Sequence, residues 1–375
     1  MKTRAAVLYE MGAKRPYSES RPLKIEECEL AGPGEGEVLV QVKAAGLCHS
    51  DLSVIDGARP RPTPMALGHE AAGVVLETGP GVDDLAEGDH VVMIFVPSCG
   101  HCLPCAEGRP ALCEPGAKAN AEGTLLSGRR PLTLADGTPL NHHMGVAAFS
   151  EYTVVSRRSL VKVDRDLPLE QAALFGCAVL TGVGSALNTA KVHPGARVAV
   201  VGLGGVGFNA LLGALVVGAE QVVAVDLVDS KLDLARQLGA TDAVNAGDEN
   251  CAEKVRELTG GGVDFALEMA GAVPALDLAY KITRRGGTTV TAGLAHPSKN
   301  LSIQQVSLVG EERTLKGSYI GSCIPLRDIP RYIGLFRSGR LPVDRLLSER
   351  VGQEELNAGF ERLATGETIR QVLVM

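Results

Sequence analysis

The run ARVAVVGLGGVGFNALLGALVVG, residues 196–218, constrains the fold of this chain more than any other stretch. A short β-branched strand meets G-x-G-x-x-G at Gly202, Gly204 and Gly207, and an apolar helix opens at once. EQVVAVD follows as a second strand and ends at Asp226. The alternation continues through SKLDLARQLG, TDAVNA, CAEKVRELTG, VDFALEMAG, AVPALDLAYKI and GGTTVTAG. Strands alternating with helices predict a parallel sheet covered on both faces, an α/β unit running from about 178 to about 320.

A chain of 375 residues exceeds the size at which one core stops growing, so a second domain is expected. Residues 1 to about 175 supply it. EVLVQVKAAG, HEAAGVVLETG, DHVVMIFVP and AFSEYTVV read as short strands separated by Gly, Pro and Asp. Residues 114–145 are polar and weakly patterned and read as a long surface loop. The tail offers two helical segments, RDIPRYIGLFRSG and QEELNAGFERLATG, and a last strand, TIRQVLVM, that returns to the first domain. The expected division is 1–178, 179–320 and a returning 321–375.

Net charge is −7 with the signs mixed, which argues against non-specific nucleic-acid binding. The start, MKTRAAVLYEMG, lacks the apolar run of an export signal, and glycines split the longest apolar stretches into strand, loop and helix. A cytoplasmic protein with no membrane partner is the expectation. Nine cysteines, an odd number, then read as reduced thiols.

Alone, GLGGVG is also compatible with chance or a purely structural turn. Its setting favours a dinucleotide site. Gly202, Gly204 and Gly207 let backbone approach a pyrophosphate, and Gly205 and Val206 open the helix whose N-terminus supplies donors. Asp226 can hold a ribose 2′-hydroxyl and repel a 2′-phosphate, which favours NAD over NADP. Lys231 can sit over the adenosine ribose without reversing that preference.

PSCGHCLPCAEGRPALCEPG places Cys99, Cys102, Cys105 and Cys113 within fifteen positions. Four thiolates fill a tetrahedral zinc shell and leave no place for substrate. Iron–sulfur ligation is the rival, although the last gap of seven residues departs from the ferredoxin run. AAGLCHSDL, PMALGHEAAG and LFGCAVLTG place Cys48, His69, Glu70 and Cys177 far apart. By spacing alone these are as readily scattered buried residues as an open zinc site. His142 and His143 read as structural or solvent-facing loop residues. Cys28, Cys251 and Cys323 read as plain thiols, and His90, His101, His193 and His296 take no role.

Across almost its whole length the chain resembles the zinc-dependent medium-chain alcohol dehydrogenases, in the long form with a structural zinc lobe at 97–116. The resemblance rests on GHE at 68–70, the four cysteines, FGC at 175–177, GLGGVG, AVD at 224–226, TLKG at 314–317 and IRQ near the end. It implies a Rossmann NAD-binding domain beside a strand-rich, GroES-like catalytic domain, and two zinc ions per chain. By the resemblance, Cys48, His69 and Cys177 ligate the catalytic zinc and Glu70 lies next to it. Asp51 accepts from the distal nitrogen of His69, and Ser50 begins a proton relay. Phe95 walls the substrate pocket, Thr181 and Val206 hold the nicotinamide, and His49 and Arg370 face the pyrophosphate. Some members use a histidine where this chain has Ser53, so proton release through Ser53 and water, or directly from the ribose, is the expectation here.

The implied activity is reversible, NAD-dependent oxidation of a small alcohol to an aldehyde or ketone, in a pocket where the two domains meet. Oxidation of an S-hydroxymethyl thiol adduct is the alternative within the family. A non-enzymatic NAD-binding or zinc-stabilised protein is the rival outside it, and intact Cys48, His69 and Cys177 argue against that. A homodimer through the nucleotide domains is expected, with a tetramer as the other arrangement.

Overall fold

The computed structural model describes residues 1–375 as two compact units. One comprises Met1–Cys177, Ile324–Arg331 and Leu347–Met375. The other comprises Ala178–Cys323 and Tyr332–Leu346.

The second unit holds a six-stranded, all-parallel sheet. Its order is Asp242–Asn245, Gln221–Asp226, Arg197–Val201, Val263–Glu268, Thr283–Thr291 and Thr314–Gly317. Numbered along the unit, that is 3-2-1-4-5-6, the doubly wound order whose ligands lie beyond the carboxyl ends of the strands at the reversal. The central strands are near-continuous valine and alanine because both faces are covered; Val198–Val200 and Val222–Val225 are fully buried. The helix Gly205–Val216 starts four residues after the first strand, so the glycine turn sits at that reversal.

The first unit is strand-rich and mostly antiparallel, with parallel pairs at Leu347–Val351 with Arg370–Val374 and at Met65–Ala66 with Asn141–His142. One sheet centres on Lys2–Leu8. The other centres on the long strand Glu37–Gly46, which pairs with Ala71–Thr78, Tyr152–Ser156 and Arg370–Val374. In that last pairing Val372 faces Gly46 and Leu373 faces Ala45, whereas Tyr332–Leu346 belongs to the other unit. The helix Leu356–Thr365 enters the core of the first unit, where the Phe360 and Phe149 rings meet edge to face at 5.9 Å. Burying each ring contributes about 1.5–3 kcal/mol.

Residues 114–145 are not the open surface loop that their polarity suggested. They form the helix Glu114–Glu122 and the strands Leu132–Leu134 and Asn141–His142, with Leu125, Leu132, Leu140, His142 and His143 fully buried. The pattern failed because the elements are short and much of the segment packs through small residues. No single helix is long and apolar enough to cross a membrane.

Candidate metal centres and nucleotide site

Cys48 lies two residues beyond the strand Glu37–Gly46 and caps the helix His49–Ile55. That helix presents Asp51 inward, fully buried. Gly68, at φ +92°, turns the chain so that His69 and Glu70 enter the same space ahead of the strand Ala71–Thr78. Cys177 follows the short turn Leu174–Gly176. One ligand atom from each of Cys48, His69, Glu70 and Cys177 lies within 4.8 Å of the others, and all four residues are buried.

The electrostatics suit a cation. The Cys177 thiol hydrogen-bonds to Cys48 and, with His69, holds the Cys48 thiol far below its ordinary value against the opposing effect of burial. Burial pushes Glu70 up despite Arg370, whose guanidinium donates to Glu70 Oε1 and, through a second nitrogen, to Leu47 O at 3.1 Å. The same strand pairing that returns the chain end delivers Arg370 here, 5% exposed.

His69 Nδ1 is 3.1 Å from Asp51 Oδ1, while His69 Nε2 is buried without a protein partner. Burial alone would raise the Asp51 carboxyl, but His69 and His143 hold it well below the carboxylate range. Two sulfurs, a ring nitrogen fixed through its far side and a nearby carboxylate match what zinc takes in an open site. The donor set fits that metal.

The four-cysteine lobe is closed. Cys99, Cys102, Cys105 and Cys113 bring their sulfurs within 4.8 Å of one another. Backbone N–H groups of Cys99 and Gly116 donate to Cys113 Sγ at 3.1 and 3.4 Å, and that of Cys102 to Cys99 Sγ at 3.3 Å. Burial raises the Cys99 thiol, yet backbone donors at His101 and Cys102 outweigh it and bring it down to about 7. Donors aimed at sulfur favour the thiolate, while burial pushes the Cys105 and Cys113 thiols up, so all four ionise together only beside a cation.

In the parallel-sheet unit the backbone N–H of Leu203 donates to Asp226 Oδ2 at 2.6 Å, and that of Val228 to Asp226 Oδ1 at 3.0 Å. Asp226 thus braces the glycine turn from the end of the neighbouring strand.

The sequence from 34 to 165 matches the family model described as alcohol dehydrogenase GroES-like domain. Residues 205–338 match the one described as zinc-binding dehydrogenase. The chain belongs to the zinc-dependent medium-chain alcohol dehydrogenase family. It is 43% identical to an NDMA-dependent alcohol dehydrogenase of Amycolatopsis methanolica, over all of this chain and 99% of that one. It is 36% identical to an S-(hydroxymethyl)glutathione dehydrogenase of Paracoccus denitrificans, over the full length of both. Among solved structures, benzyl alcohol dehydrogenase from Acinetobacter calcoaceticus superimposes with a TM-score of 0.93 at 32% identity, covering 100% of this chain and 99% of that one.

This zinc-dependent dehydrogenase combines a Rossmann-like parallel sheet with a GroES-like, strand-rich unit, and its two metal clusters correspond to separate structural and catalytic zinc sites. Of the residues singled out from sequence, the GroES-like unit brings together Cys48, Asp51, His69, Glu70, Cys177 and Arg370. Phe95 joins them, its ring 5.3 Å from that of His69 and edge-on to it. His49 is exposed and Ser50 half-buried at the start of the same helix. Ser53 donates its hydroxyl proton to His49 O at 2.7 Å, one helical turn back. Thr181, Val206, Asp226 and Lys231 belong to the Rossmann-like unit.

One buried neighbour escaped the sequence reading. His143 Nδ1 lies 2.9 Å from Asp51 Oδ1, and its ring stands edge-on to that of His69 at 5.5 Å. The available signal was the histidine pair directly ahead of an apolar segment, MGVAAF.

Proposed function

We propose that this dehydrogenase reversibly oxidises a small alcohol to its aldehyde or ketone with NAD, at a zinc held by Cys48, His69 and Cys177. The observation that carries the reading is the convergence of those donors around a buried, unpartnered His69 Nε2. Zinc bound there supplies Lewis-acid polarisation of an alcohol oxygen, and NAD supplies the hydride acceptor.

The protein's own residues do the rest. Asp51 fixes His69 in the tautomer that leaves Nε2 with a lone pair. Glu70, tethered by Arg370, keeps a second carboxylate oxygen beside the ligands. Phe95, 6% exposed, walls the ligand cluster with an apolar ring that excludes water. Ser50 would take the alcohol proton at Oγ while passing its own hydroxyl proton on to water. Gly202, Gly204, Gly205, Val206 and Gly207 bind and orient the dinucleotide, with Thr181 at the nicotinamide. Asp226 supports NAD over NADP, because a carboxylate at that place repels a 2′-phosphate.

Ser50→Ala should retain zinc and NAD but lose turnover by roughly 10²-fold or more, the usual contribution of a positioned proton acceptor. Ser53→Ala should cost less, since its own proton is already committed to His49 O and water can replace it. Turnover against pH for both variants checks the order. A larger loss at Ser53 would reverse the assignment.

A second reading, oxidation of an S-hydroxymethyl thiol adduct, is supported by the 36% identity to the Paracoccus enzyme. Steady-state kinetics with primary, secondary and aromatic alcohols and with S-hydroxymethylglutathione, each with NAD and NADP, separates the two. Alcohol turnover with a clear preference for NAD is the expected result. Turnover of the thiol adduct alone would transfer the assignment to the second reading, and turnover of none would overturn both.

We read the assembly as a homodimer through the Rossmann-like unit. The strand Thr314–Gly317 borders that sheet, and Val306 and Val309 nearby are 70% and 65% exposed. A sedimentation mass of twice 39.1 kDa would support the dimer, and four times that mass the tetramer. Nine free cysteines suit a cytoplasmic location.

A further inference from the structure

We infer that His143 is a positioning residue of the catalytic metal centre, holding the Asp51 carboxylate and, through it, the His69 ring. The inference rests on the reading of Cys48, His69 and Cys177 as zinc ligands, and it adds a residue that never touches the metal.

Three groups face Asp51 Oδ1. They are the Gly68 backbone N–H at 3.2 Å, His69 Nδ1 at 3.1 Å and His143 Nδ1 at 2.9 Å. The Asp51, His69 and His143 side chains are completely buried. A carboxylate removed from water is stable only where donors replace its hydration, so each of these contacts matters. His69 Nδ1 lies 3.1 Å from both carboxylate oxygens and so does not distinguish them. His143 Nδ1 faces Oδ1, the oxygen that also meets the Gly68 N–H, and thereby sets the turn of the carboxylate. The His143 and His69 planes cross at 81°, so the two rings approach the carboxylate from different directions. His69 in turn has no other side-chain anchor for Nδ1, and its tautomer decides whether Nε2 carries a lone pair or a proton.

The backbone around His143 is arranged for this placement. Met144 and Ala147 both sit at φ +50°, a region that residues with a Cβ rarely occupy. Such conformations persist where surrounding structure holds them. Here the holding contacts are to the segment that carries His69. Ala148 N donates to Gly68 O and Phe149 N to Leu67 O, both at 3.0 Å. A Cβ on Gly68 would come within 2.5 Å of Phe149 N, so the two segments are in direct backbone contact. His143 and His69 therefore ride on one bonded assembly, with Asp51 between them. His142 provides an internal comparison. It is equally buried, but the groups that bear on its ring are the Leu140 backbone and Arg130 rather than a carboxylate, whereas His143 Nδ1 closes to 2.9 Å on Asp51.

The test compares His143→Phe, His143→Asn and His142→Phe with the parent in the full-length zinc-loaded protein. Zinc release to a chelator is timed, and the visible spectrum is recorded after cobalt replaces the catalytic zinc. His143→Phe should release the catalytic zinc about tenfold faster, the lower end of what outer partners of a metal ligand contribute, and should shift the cobalt bands. His143→Asn, which keeps a donor, should recover most of the retention. His142→Phe should leave both readouts at parent values even if it lowers stability. Equal behaviour of His143→Phe and the parent would overturn the inference, as would equal effects of His143→Phe and His142→Phe. A third metal per chain that disappears with His143 would also overturn it, because Asp51, His69 and His143 would then be ligands themselves. If instead the parent holds no metal at Cys48, the failure belongs to the proposed function and the parent measurement shows it first.

Discussion

Cys48→Ser and Cys102→Ser are expected to fail in opposite ways. Cys48→Ser should remain folded and retain the metal of the four-cysteine lobe, but lose alcohol oxidation by about 10³-fold or more. That is the order of effect when a Lewis acid worth several kcal/mol is lost or misplaced. Its loss leaves His69, Cys177 and the Glu70–Arg370 pair in place, and the surrounding core of Leu47, Ile55, Met65 and Leu67 does not depend on the thiolate. Cys102→Ser should instead release the lobe metal and lower the melting temperature by roughly 5–10 °C, as a loss of about 2–3 kcal/mol does in a unit of about this size. The lobe's sulfurs are held by one another and by backbone N–H groups, and it has little apolar interior of its own. Metal content by mass spectrometry, melting temperature and turnover on both variants decide the matter. Full activity with two correctly bound metals in Cys48→Ser, or unchanged stability in Cys102→Ser after verified zinc loss, would reverse the assignments.

Two glycines of the nucleotide turn should separate cofactor binding from packing. A Cβ on Gly207 would lie 1.8 Å from the carbonyl oxygen of Gly202, so the turn and the helix start cannot both stay where they are. Gly207→Ala is expected to lower stability by about 1–3 kcal/mol and to abolish measurable NAD binding. Gly204 is different. Its φ of −85° suits any residue, and an added Cβ meets nothing within 4 Å. Gly204→Ala should therefore fold like the parent, with an unchanged melting temperature, yet bind NAD about tenfold more weakly, because the methyl group occupies the approach to the pyrophosphate. Calorimetric titration with NAD and thermal melts on both variants test this. Parent-like affinity in Gly204→Ala would take the pyrophosphate away from this loop.

What the chain declares locally and what it leaves to the fold divide along contact range. Strand–glycine–helix alternation from 196 onward was legible because each element declares itself within ten residues, through apolar periodicity and the turn chemistry at its ends. The parallel sheet follows from that alternation, since consecutive parallel strands need a crossover. The four cysteines at 99–113 were legible for the same reason: a shell that closes within fifteen positions needs little help from the rest of the fold. Residues 114–145 were misread because short elements joined by glycine and proline carry too few residues to show a period.

Convergence of Cys48, His69 and Cys177 was beyond any local signal. These residues stand 21 and then 108 positions apart, and only the resemblance to a family joined them in advance. What brings them together is strand pairing. Ala45 faces Ala71 across one ladder and Leu373 across another, which places Cys48, His69 and Arg370 at the same end of the sheet. Slipping either pairing by one residue would turn the side chains to the opposite face. His143 illustrates the same limit, because a histidine in a polar segment carries no mark of the carboxylate it will meet. The amino-acid sequence by itself determined the two kinds of layer, the closed cysteine lobe and the glycine turn. Which buried polar groups face one another was decided only by the tertiary structure, because register and loop closure act between residues that the chain keeps far apart.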